Sequence, residues 1–151
     1  MAKSDRILLV EDDPNDVELT LSALTESRLA NEVVVARDGE EALDYLYRRG
    51  AYTTREEGNP LVVLLDLKLP KVDGMEVLKR AKADPDLKTI PVVVLTSSRE
   101  EQDLVSSYHS GSNAYVVKPV DFHEFVEAVK ELGLFWTVVN HPPPRSAGRG
   151  R

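Results

Sequence analysis

Short apolar runs alternate along this chain with amphipathic stretches of helical period. Each run holds four or five residues, with no polar residue inside it apart from the leading Glu32. A short, unbroken apolar run is typical of a strand that is covered on both faces, as in a parallel sheet. The pattern therefore predicts five strands, over residues 7–10, 32–36, 61–65, 91–95 and 114–117.

Capping residues and apolar residues at helical spacing follow each predicted strand. Pro14 suits the first turn of the first helix, and four capping pairs start the later helices. The pairs are Asp38 and Glu41, Asp73 and Glu76, Ser98 and Glu101, and Asp121 and Glu124. The predicted buried faces are Val17, Leu21 and Leu24; Ala42, Leu43, Leu46 and Tyr47; Val77, Leu78 and Ala81; Leu104, Val105 and Tyr108; and Phe122, Phe125, Val126 and Val129. We expect Gly50 to end the second helix, residues 51–60 to form a loop, and the last helix to continue through Leu132 to Trp136.

Strict alternation of strands and helices indicates an α/β protein with right-handed crossovers. We predict one doubly wound, five-stranded parallel sheet with strand order 2-1-3-4-5, the flavodoxin-like arrangement. Residues 1–140 are expected to form one domain without an effector domain. Residues 141–151 are rich in proline, glycine and arginine, and we expect a flexible tail.

Composition narrows the function classes. The chain has 151 residues and a formal net charge of −7, which argues against a general nucleic-acid or membrane-surface binder. It contains no cysteine, so disulfides and thiol chemistry are excluded. No signal peptide and no run of about 18 apolar residues is present, so a cytoplasmic protein is expected.

Four of the five predicted strands end on residues that can handle phosphate or metal. These are the run Glu11-Asp12-Asp13, then Asp66, Thr96 and Lys118. Each alone could simply start a turn, but the strand order 2-1-3-4-5 brings all of them to one edge of the sheet. Clustered carboxylates need neutralisation, and Mg²⁺ prefers their oxygens. Asp66 could then act as a nucleophile toward phosphorus, with Lys118 and Thr96 binding the phosphoryl oxygens.

These motifs together resemble the receiver domain of two-component response regulators, the CheY-like family. The matching segments are Val-Glu-Asp-Asp after the first strand, Leu-Leu-Asp66-Leu-Lys-Leu-Pro-Lys-Val-Asp-Gly after the third, Leu-Thr96-Ser-Ser after the fourth and Tyr115-Val-Val-Lys118-Pro119 after the fifth. The resemblance covers residues 6 to about 132. It implies a signalling protein that accepts a phosphoryl group on Asp66 from a histidine kinase or a small phosphodonor. Such a protein catalyses only its own phosphorylation and dephosphorylation.

The resemblance also implies residue roles. Mg²⁺, or Mn²⁺, would be held by Asp12, Asp66 and the backbone carbonyl of Lys68, with Glu11 acting through water, while Asp13 is a bystander. Thr96 and Lys118 would bind the phosphoryl group, and Thr96 with Tyr115 would switch conformation after phosphorylation. Lys68 and Ser98 would tune the phosphate lifetime. The Lys118–Pro119 peptide bond is expected to be cis.

A narrower resemblance is to the single-domain regulators that serve phytochrome-type histidine kinases. It rests on the loop before the third strand, the sequence Asp-Leu-Lys-Leu-Pro-Lys that begins at Asp66, and Phe135-Trp136. In that group the C-terminal segment takes part in dimerisation. Here an apolar cluster follows the predicted last helix, and it could form a homodimer or cover the domain's own core. Its members are Leu134, Phe135, Trp136, Val138 and Val139.

Three rival interpretations are weaker. A dehalogenase-type phosphatase would carry its nucleophile after the first strand in an Asp-x-Asp pattern, which Glu11-Asp12-Asp13-Pro14 lacks. A receiver-like protein that binds partners without phosphorylation would not need Asp12, Asp66, Thr96 and Lys118 together. A nucleotide-binding module would need a glycine-rich phosphate loop after a strand, and none is present.

Overall fold

Five parallel strands form the centre of the molecule, which we describe from a computed structural model. The structure describes residues 6–26, 32–56, 58–98, 100–101, 103, 113–134 and 138. The strand order is β2-β1-β3-β4-β5, so the predicted fold class is confirmed. The strands are β1 (Ile7–Val10), β2 (Val33–Ala36), β3 (Val62–Asp66), β4 (Val92–Thr96) and β5 (Asn113–Val117).

Four α-helices have bounds within the described residues. They are α1 (Pro14–Glu26), α2 (Gly39–Tyr47), α3 (Gly74–Ala83) and α4 (Phe122–Glu131). Glu100, Glu101 and Asp103 are also helical, where the helix beginning at Ser98 is predicted. The predicted face of that helix, Leu104, Val105 and Tyr108, lies outside the described residues.

The predicted capping residues start the helices. The side chains of Asp38, Asp73 and Asp121 accept hydrogen bonds from the backbone N–H three residues later, at 2.7, 3.0 and 2.8 Å. Ser98 Oγ accepts from the Glu101 N–H at 3.2 Å in the same way. These contacts satisfy N–H groups that have no partner inside the helix, which fixes where each helix begins.

Side-chain alternation along the strands divides the core into two layers. Leu8, Val10, Val63 and Leu65 face the layer covered by α2 and α3. Ile7, Leu9 and Leu64 face the other layer, where Leu24 of α1 and Phe125 of α4 pack. Because β1, β3 and β4 are buried on both faces, their sequences are almost wholly apolar.

The connection between α2 and β3 differs from the prediction. Helix α2 ends at Tyr47, and Arg48 is in the left-handed region with φ 56°, so Gly50 does not end the helix. Gly50 instead begins a short 3-10 helix, Gly50–Tyr52, inside the predicted loop. Tyr45, which the predicted face omitted, is buried with its ring 5.0 Å from the Tyr52 ring. The extra helical turn packs the partly buried Tyr52 against the buried Tyr45, a contact that periodicity alone does not reveal.

The end of α4 also differs from the prediction of a helix running through to Trp136. Helix α4 ends at Glu131, and Gly133 is left-handed with φ 74°. The Leu134 N–H donates to Val129 O at 2.8 Å and the Gly133 N–H to Lys130 O at 2.9 Å, the Schellman pattern that terminates helices. The chain then resumes at least one helical hydrogen bond, from the Val138 N–H to Leu134 O at 2.9 Å.

One predicted core residue of α4 is on the surface. Phe122 is 42% exposed, although Phe125 and Val129 on the same face are fully buried. Phe122 is the first residue of the helix, and periodicity gives the direction of a face but not how far along the helix that face is covered. Val138 is fully buried, and Leu134 packs against the same core layer. Phe135, Trp136, Val139 and the predicted tail lie outside the described residues.

The strand register determines which chain segments meet at the edge of the sheet. Val10 pairs with Leu65, so Glu11 and Asp66 come next to each other beyond the ends of β1 and β3. Thr96 pairs with Val117, which places Lys118 beside the end of β4. No helix among the described residues is long and apolar enough to span a membrane.

Candidate functional site

Asp66 is the last residue of the central strand β3, and its side chain is buried in the rim of the sheet. It is only 5% exposed. The Lys68 N–H points back at Asp66 Oδ1, at a distance of 3.4 Å. The turn stays tight because the Gly74 N–H donates to Leu67 O at 2.8 Å, and a Cβ at Gly74 would lie 2.2 Å from Asp66 O. Glycine at this position therefore lets α3 begin directly against the residue before the turn.

Two further carboxylates share this rim with Asp66. Carboxylate oxygens of Glu11, Asp12 and Asp66 all lie within 4.8 Å of one another. Glu11 is only 1% exposed, whereas Asp12 is on the surface. Burial raises the pKa of Glu11 to about 7, with the neighbouring Asp66 carboxylate adding to the effect. The three groups thus form a site of high negative potential that favours a proton or a cation.

Asp13, the next acidic residue, serves the start of α1. Its side chain accepts the Asn15 N–H at 2.8 Å, and its own N–H donates to Glu11 Oε2 at 3.2 Å. Among the described residues the cluster of carboxylates that could hold a metal comprises Glu11, Asp12 and Asp66, without Asp13.

Lys118 brings the opposite charge to this cluster from the end of β5. Its Nζ lies 3.2 Å from Asp66 Oδ2 and 3.3 Å from Glu11 Oε1. Burial alone would lower the pKa of Lys118, but the contact with Asp16 and the charges of Asp66 and Glu11 outweigh it and raise the pKa above its ordinary value. Lys118 is therefore a fixed cation beside the acidic cluster. The Lys118–Pro119 peptide bond is cis.

Asp16 is a site residue that the sequence analysis missed. It belongs to the first turn of α1, and its Oδ2 lies 2.9 Å from Lys118 Nζ, closer than either carboxylate of the rim. In sequence terms it is one more acidic residue at a helix start, where such residues are favoured by the helix dipole. Its place three residues after the strand-end acids is ordinary for a residue at a helix start, so the sequence alone carries no signal for its contact with Lys118.

Thr96 lies at the end of β4 and is completely buried. Among the described residues its Oγ1 has no hydrogen-bond partner. An unpaired buried hydroxyl is uncommon, because it loses its bonds to water without replacement. Thr96 therefore has a hydrogen-bonding capacity that a group arriving at the rim could use.

Lys68 and Glu101 connect the segments that follow β3 and β4. Lys68 Nζ lies 3.7 Å from Glu101 Oε2, and Lys68 is largely exposed. Glu101 Oε1 accepts the Ser97 N–H at 2.8 Å, so its carboxylate is held in place. These two residues and Asp12 help to line an open cleft of about 530 Å³ next to the acidic cluster. The cleft opens the rim to solvent.

Tyr115 does not join this cluster. It is on β5, two residues before Val117, and 41% of it is exposed. It lines a separate shallow cleft of about 300 Å³ together with Val117, His123 and Glu124. The structure thus brings Glu11, Asp12, Asp66 and Lys118 together, sets Thr96 at the end of the adjacent strand, and leaves Tyr115 on the surface of β5.

The donor set fits a hard divalent cation. Three carboxylates supply oxygen ligands only, and the one positive charge of Lys118, which contacts Glu11 and Asp66, does not neutralise all of them. Burial is the main cause of the raised pKa of Glu11, and the neighbouring Asp66 carboxylate adds to it. Mg²⁺ and Mn²⁺ prefer oxygen ligands of this kind.

Comparison with known proteins agrees with the geometry. Residues 7–130 match the family described as "Response regulator receiver domain". The chain is 42% identical over 130 residues to "Response regulator Rcp1" of Synechocystis sp., covering 86% of this chain and 87% of that protein. A solved structure of the Mn²⁺-bound form of Rcp1 has a TM-score of 0.70, at 40% identity over 92% of this chain and 99% of that one.

Two further solved structures are similar. "Bacteriophytochrome response regulator RtBRR" is 62% identical with a TM-score of 0.85, covering 93% of this chain and 85% of that chain. The phosphorylated cyanobacterial phytochrome response regulator RcpA is 44% identical with a TM-score of 0.70, covering 88% of this chain and 94% of that chain. The narrower resemblance to phytochrome response regulators is thereby confirmed.

Proposed function

This chain belongs to the response regulator receiver family of two-component signalling, and from that membership we propose that it accepts a phosphoryl group on Asp66 from a sensor histidine kinase. One observation carries the proposal. The Asp66 carboxylate lies at the rim of the sheet with Lys118 Nζ 3.2 Å away and two further carboxylates beside it. The relative RcpA is described as phosphorylated, which agrees with this assignment.

In the transfer step an Asp66 oxygen attacks the phosphorus of a phosphohistidine, the P–N bond breaks, and an acyl phosphate forms on Asp66. The histidine leaving group takes up the proton it needs from solvent. Lys118 and the unpaired hydroxyl of Thr96 can each bind an oxygen of the incoming group, since both lie at the ends of neighbouring strands. Dephosphorylation is attack of water on the same phosphorus, which releases inorganic phosphate and restores Asp66. The protein would thus be a phosphoacceptor that catalyses only its own phosphorylation and dephosphorylation.

The proposed metal is Mg²⁺ or Mn²⁺, held by Asp12, Asp66 and the Lys68 backbone carbonyl, with Glu11 acting through water. The clustering of the three carboxylates supports it, as does the Mn²⁺-bound form of the relative Rcp1. When bound, such a cation would neutralise the carboxylates and the oxygens of the phosphoryl group. Lys118 would then be released from Glu11 and Asp66 to contact the phosphoryl group.

We propose that output is altered protein docking. Thr96 would move toward the phosphoryl group, and Tyr115 on the exposed side of β5 would change rotamer with it. One receiver domain over residues 1–140 is part of the proposal, and residues 141–151, for which the sequence predicts a tail, lie outside the described residues. It assigns no nucleic-acid or membrane partner, in line with the net charge of −7, and a cytoplasmic location.

A phytochrome-type histidine kinase is the proposed partner. Its support is the likeness to RtBRR and RcpA, both described as phytochrome response regulators. Transfer of radiolabelled phosphate from an autophosphorylated phytochrome-type kinase would test it, with a kinase of another class as the comparison. A homodimer through the C-terminal region is part of the same proposal.

Intact-mass measurement tests the phosphoacceptor. The chain is incubated with acetyl phosphate and Mg²⁺, beside Asp66→Asn and beside a sample with chelator. We expect the mass of one phosphoryl group in the first sample and in neither control. A wild-type chain that gains no mass from acetyl phosphate or from a cognate kinase would contradict the proposal.

A further inference from the structure

Asp16 is a third carboxylate on Lys118, and it belongs neither to the phosphoacceptor nor to the acidic cluster. Its Oδ2 is 2.9 Å from Lys118 Nζ, while the Glu11 and Asp66 oxygens are 3.3 and 3.2 Å away. The Asp16 side chain is 30% exposed, so it is partly shielded from solvent. Its helix is fixed at this end, because Asp13 caps the first turn of α1 through the Asn15 N–H.

The contact with Asp16 matters because it occupies one of the few hydrogen-bond donors of Lys118. An ammonium group has three N–H donors and no acceptor. Lys118 has three carboxylate neighbours within 3.3 Å, so each donor already has a charged partner. A phosphoryl oxygen can gain a hydrogen bond from Lys118 only if one of these carboxylates gives one up.

The three carboxylates differ in whether a bound cation would neutralise them. Glu11 and Asp66 lie within the group of oxygens that could hold a cation, and a cation there would relieve Lys118 of both. Asp16 lies outside that group and keeps its full charge. It would remain next to Lys118 while a group of roughly −1.5 to −2 charge arrives.

We propose that Asp16 is a positioning residue that holds Lys118 in the unphosphorylated state and competes with the phosphoryl group for it. This inference rests on the proposed phosphorylation of Asp66. Asp16 keeps Lys118 at the rim and keeps it from screening the acceptor carboxylate fully. After phosphorylation it draws Lys118 back and repels the phosphoryl oxygens, so it limits the affinity of the site for a phosphoryl group.

Equilibrium binding of beryllofluoride, a mimic of a phosphoryl group on a carboxylate, tests the proposal in the full chain. Titration calorimetry is carried out at saturating Mg²⁺ on wild type, Asp16→Asn and Asp16→Ala. Asparagine keeps the shape and removes the charge, whereas alanine also removes the acceptor. Glu18→Gln is the matched control, since it removes the same charge from an exposed position two residues further along α1.

We expect both Asp16 variants to bind beryllofluoride roughly 3- to 10-fold more tightly, the range set by the net contribution of one typical hydrogen bond that no longer competes. Glu18→Gln should bind as wild type does. The ¹⁵N signal of the Lys118 ammonium group in the unliganded chain should broaden or shift in the Asp16 variants only. A purely structural role for Asp16 would lower thermal stability without tightening beryllofluoride binding.

Unchanged or weaker binding by both Asp16 variants would overturn the inference, because Asp16 would then not compete for Lys118. Equal tightening by Glu18→Gln would overturn it as well, since a general charge effect would suffice. The proposed phosphoacceptor fails differently: the wild-type chain itself would then neither bind beryllofluoride nor gain phosphoryl mass. Wild-type binding with unaltered Asp16 variants would leave the phosphoacceptor standing and remove the role of Asp16.

Discussion

The buried hydroxyl of Thr96 lowers the stability of the fold, and its proposed role in binding a phosphoryl oxygen explains why a threonine is present. Its hydroxyl is buried without a partner among the described residues, and valine has nearly the same shape. We expect Thr96→Val to raise the free energy of unfolding by about 1 kcal/mol, since the unpaired hydroxyl no longer has to be desolvated. The same variant should bind beryllofluoride more weakly than wild type.

Urea unfolding measures the stability of Thr96→Val and calorimetry measures its beryllofluoride binding. Thr96→Ser, which keeps the hydroxyl, should retain the binding. A Thr96→Val protein that is less stable than wild type would contradict this account.

Glu11 should make the stability of the metal-free chain depend on pH. Its pKa in the folded state is about 7, above the ordinary value of 4.5. Between these values the folded chain holds a proton that the unfolded chain has lost, so raising the pH through this window lowers stability. The contribution is about 1 to 3 kcal/mol, as follows from the size of the shift.

Unfolding in urea at pH 5.5 and pH 7.5 with chelator measures this effect in wild type and Glu11→Gln. We expect wild type to lose more stability than the variant as the pH rises. Saturating Mg²⁺ should remove most of the difference at pH 7.5, because the carboxylate charge is then compensated. Identical pH dependence in the two proteins would show that Glu11 titrates as an ordinary surface carboxylate does.

Strand-end residues could be predicted as a group, whereas Asp16 could not. Glu11, Asp66, Thr96 and Lys118 each follow an apolar run directly, so the strand order alone brings them to one rim. Asp16 lies inside helix α1, so the strand order does not place it. Its contact with Lys118 depends on how α1 leans against the end of β5, and that angle is set by packing between residues about 100 positions apart.

Gly74 shows, at the scale of elements, how α3 and β3 are fitted together. A Cβ there would meet Asp66 O at 2.2 Å and Leu67 Cα at 2.5 Å, and both are backbone atoms that cannot move aside cheaply. We expect Gly74→Ala to destabilise the fold by about 2 to 3 kcal/mol and to displace the turn that carries Asp66 and Lys68. Phosphoryl uptake from acetyl phosphate should slow in parallel.

Gly133→Ala is the comparison for this effect. Gly133 has φ 74°, and among the described residues no atom beyond its chain neighbours lies within 4 Å of a Cβ built there, so the cost of alanine is that of the left-handed backbone, about 1 kcal/mol. Its phosphoryl uptake should be that of wild type. If Gly133→Ala proved as destabilising as Gly74→Ala, the close approach of α3 to β3 would not be the cause.

The sequence predicted well the elements that depend on local patterns, such as apolar runs and capping residues. The apolar runs gave all five strands, and Asp38, Asp73 and Asp121 cap helices where expected. The predicted end of α2 at Gly50 was wrong because Arg48 adopts φ 56°, a backbone conformation that arginine does not favour. The Arg48 N–H donates to Tyr45 O at 3.2 Å and the Arg49 N–H to Asp44 O at 2.9 Å, while the Arg48 side chain donates to Arg55 O at 3.1 Å, seven residues further along the chain. Such contacts leave no periodic trace in the sequence.

At the scale of the whole molecule, the sheet separates the acceptor rim from the surface of β5. Tyr115 and Val117 are each 41% exposed, although Lys118, which directly follows β5, contacts Asp66. The four residues from Tyr115 to Lys118 therefore carry both an exposed aromatic side chain and a charged contact to Asp66. This continuity is the physical basis for proposing that a phosphoryl group at Asp66 is sensed on the exposed side of β5.

Val138 decides between the two roles left open for the C-terminal apolar cluster, as far as the described residues reach. It is fully buried within a single chain, in the core layer that contains Phe125 and Val129. We expect Val138→Ala to lower the free energy of unfolding by about 1.5 kcal/mol or more, and by the same amount at every protein concentration. Were Val138 buried only in a dimer, the loss of stability in Val138→Ala would instead grow with protein concentration, because association stabilises the folded state by mass action. Urea unfolding of wild type and Val138→Ala over a hundredfold range of concentration separates the two, with sedimentation velocity reporting the oligomer present at each point. A loss of stability that disappears in the dilute samples would assign Val138 to a subunit interface, whereas a constant loss assigns it to the core of its own chain.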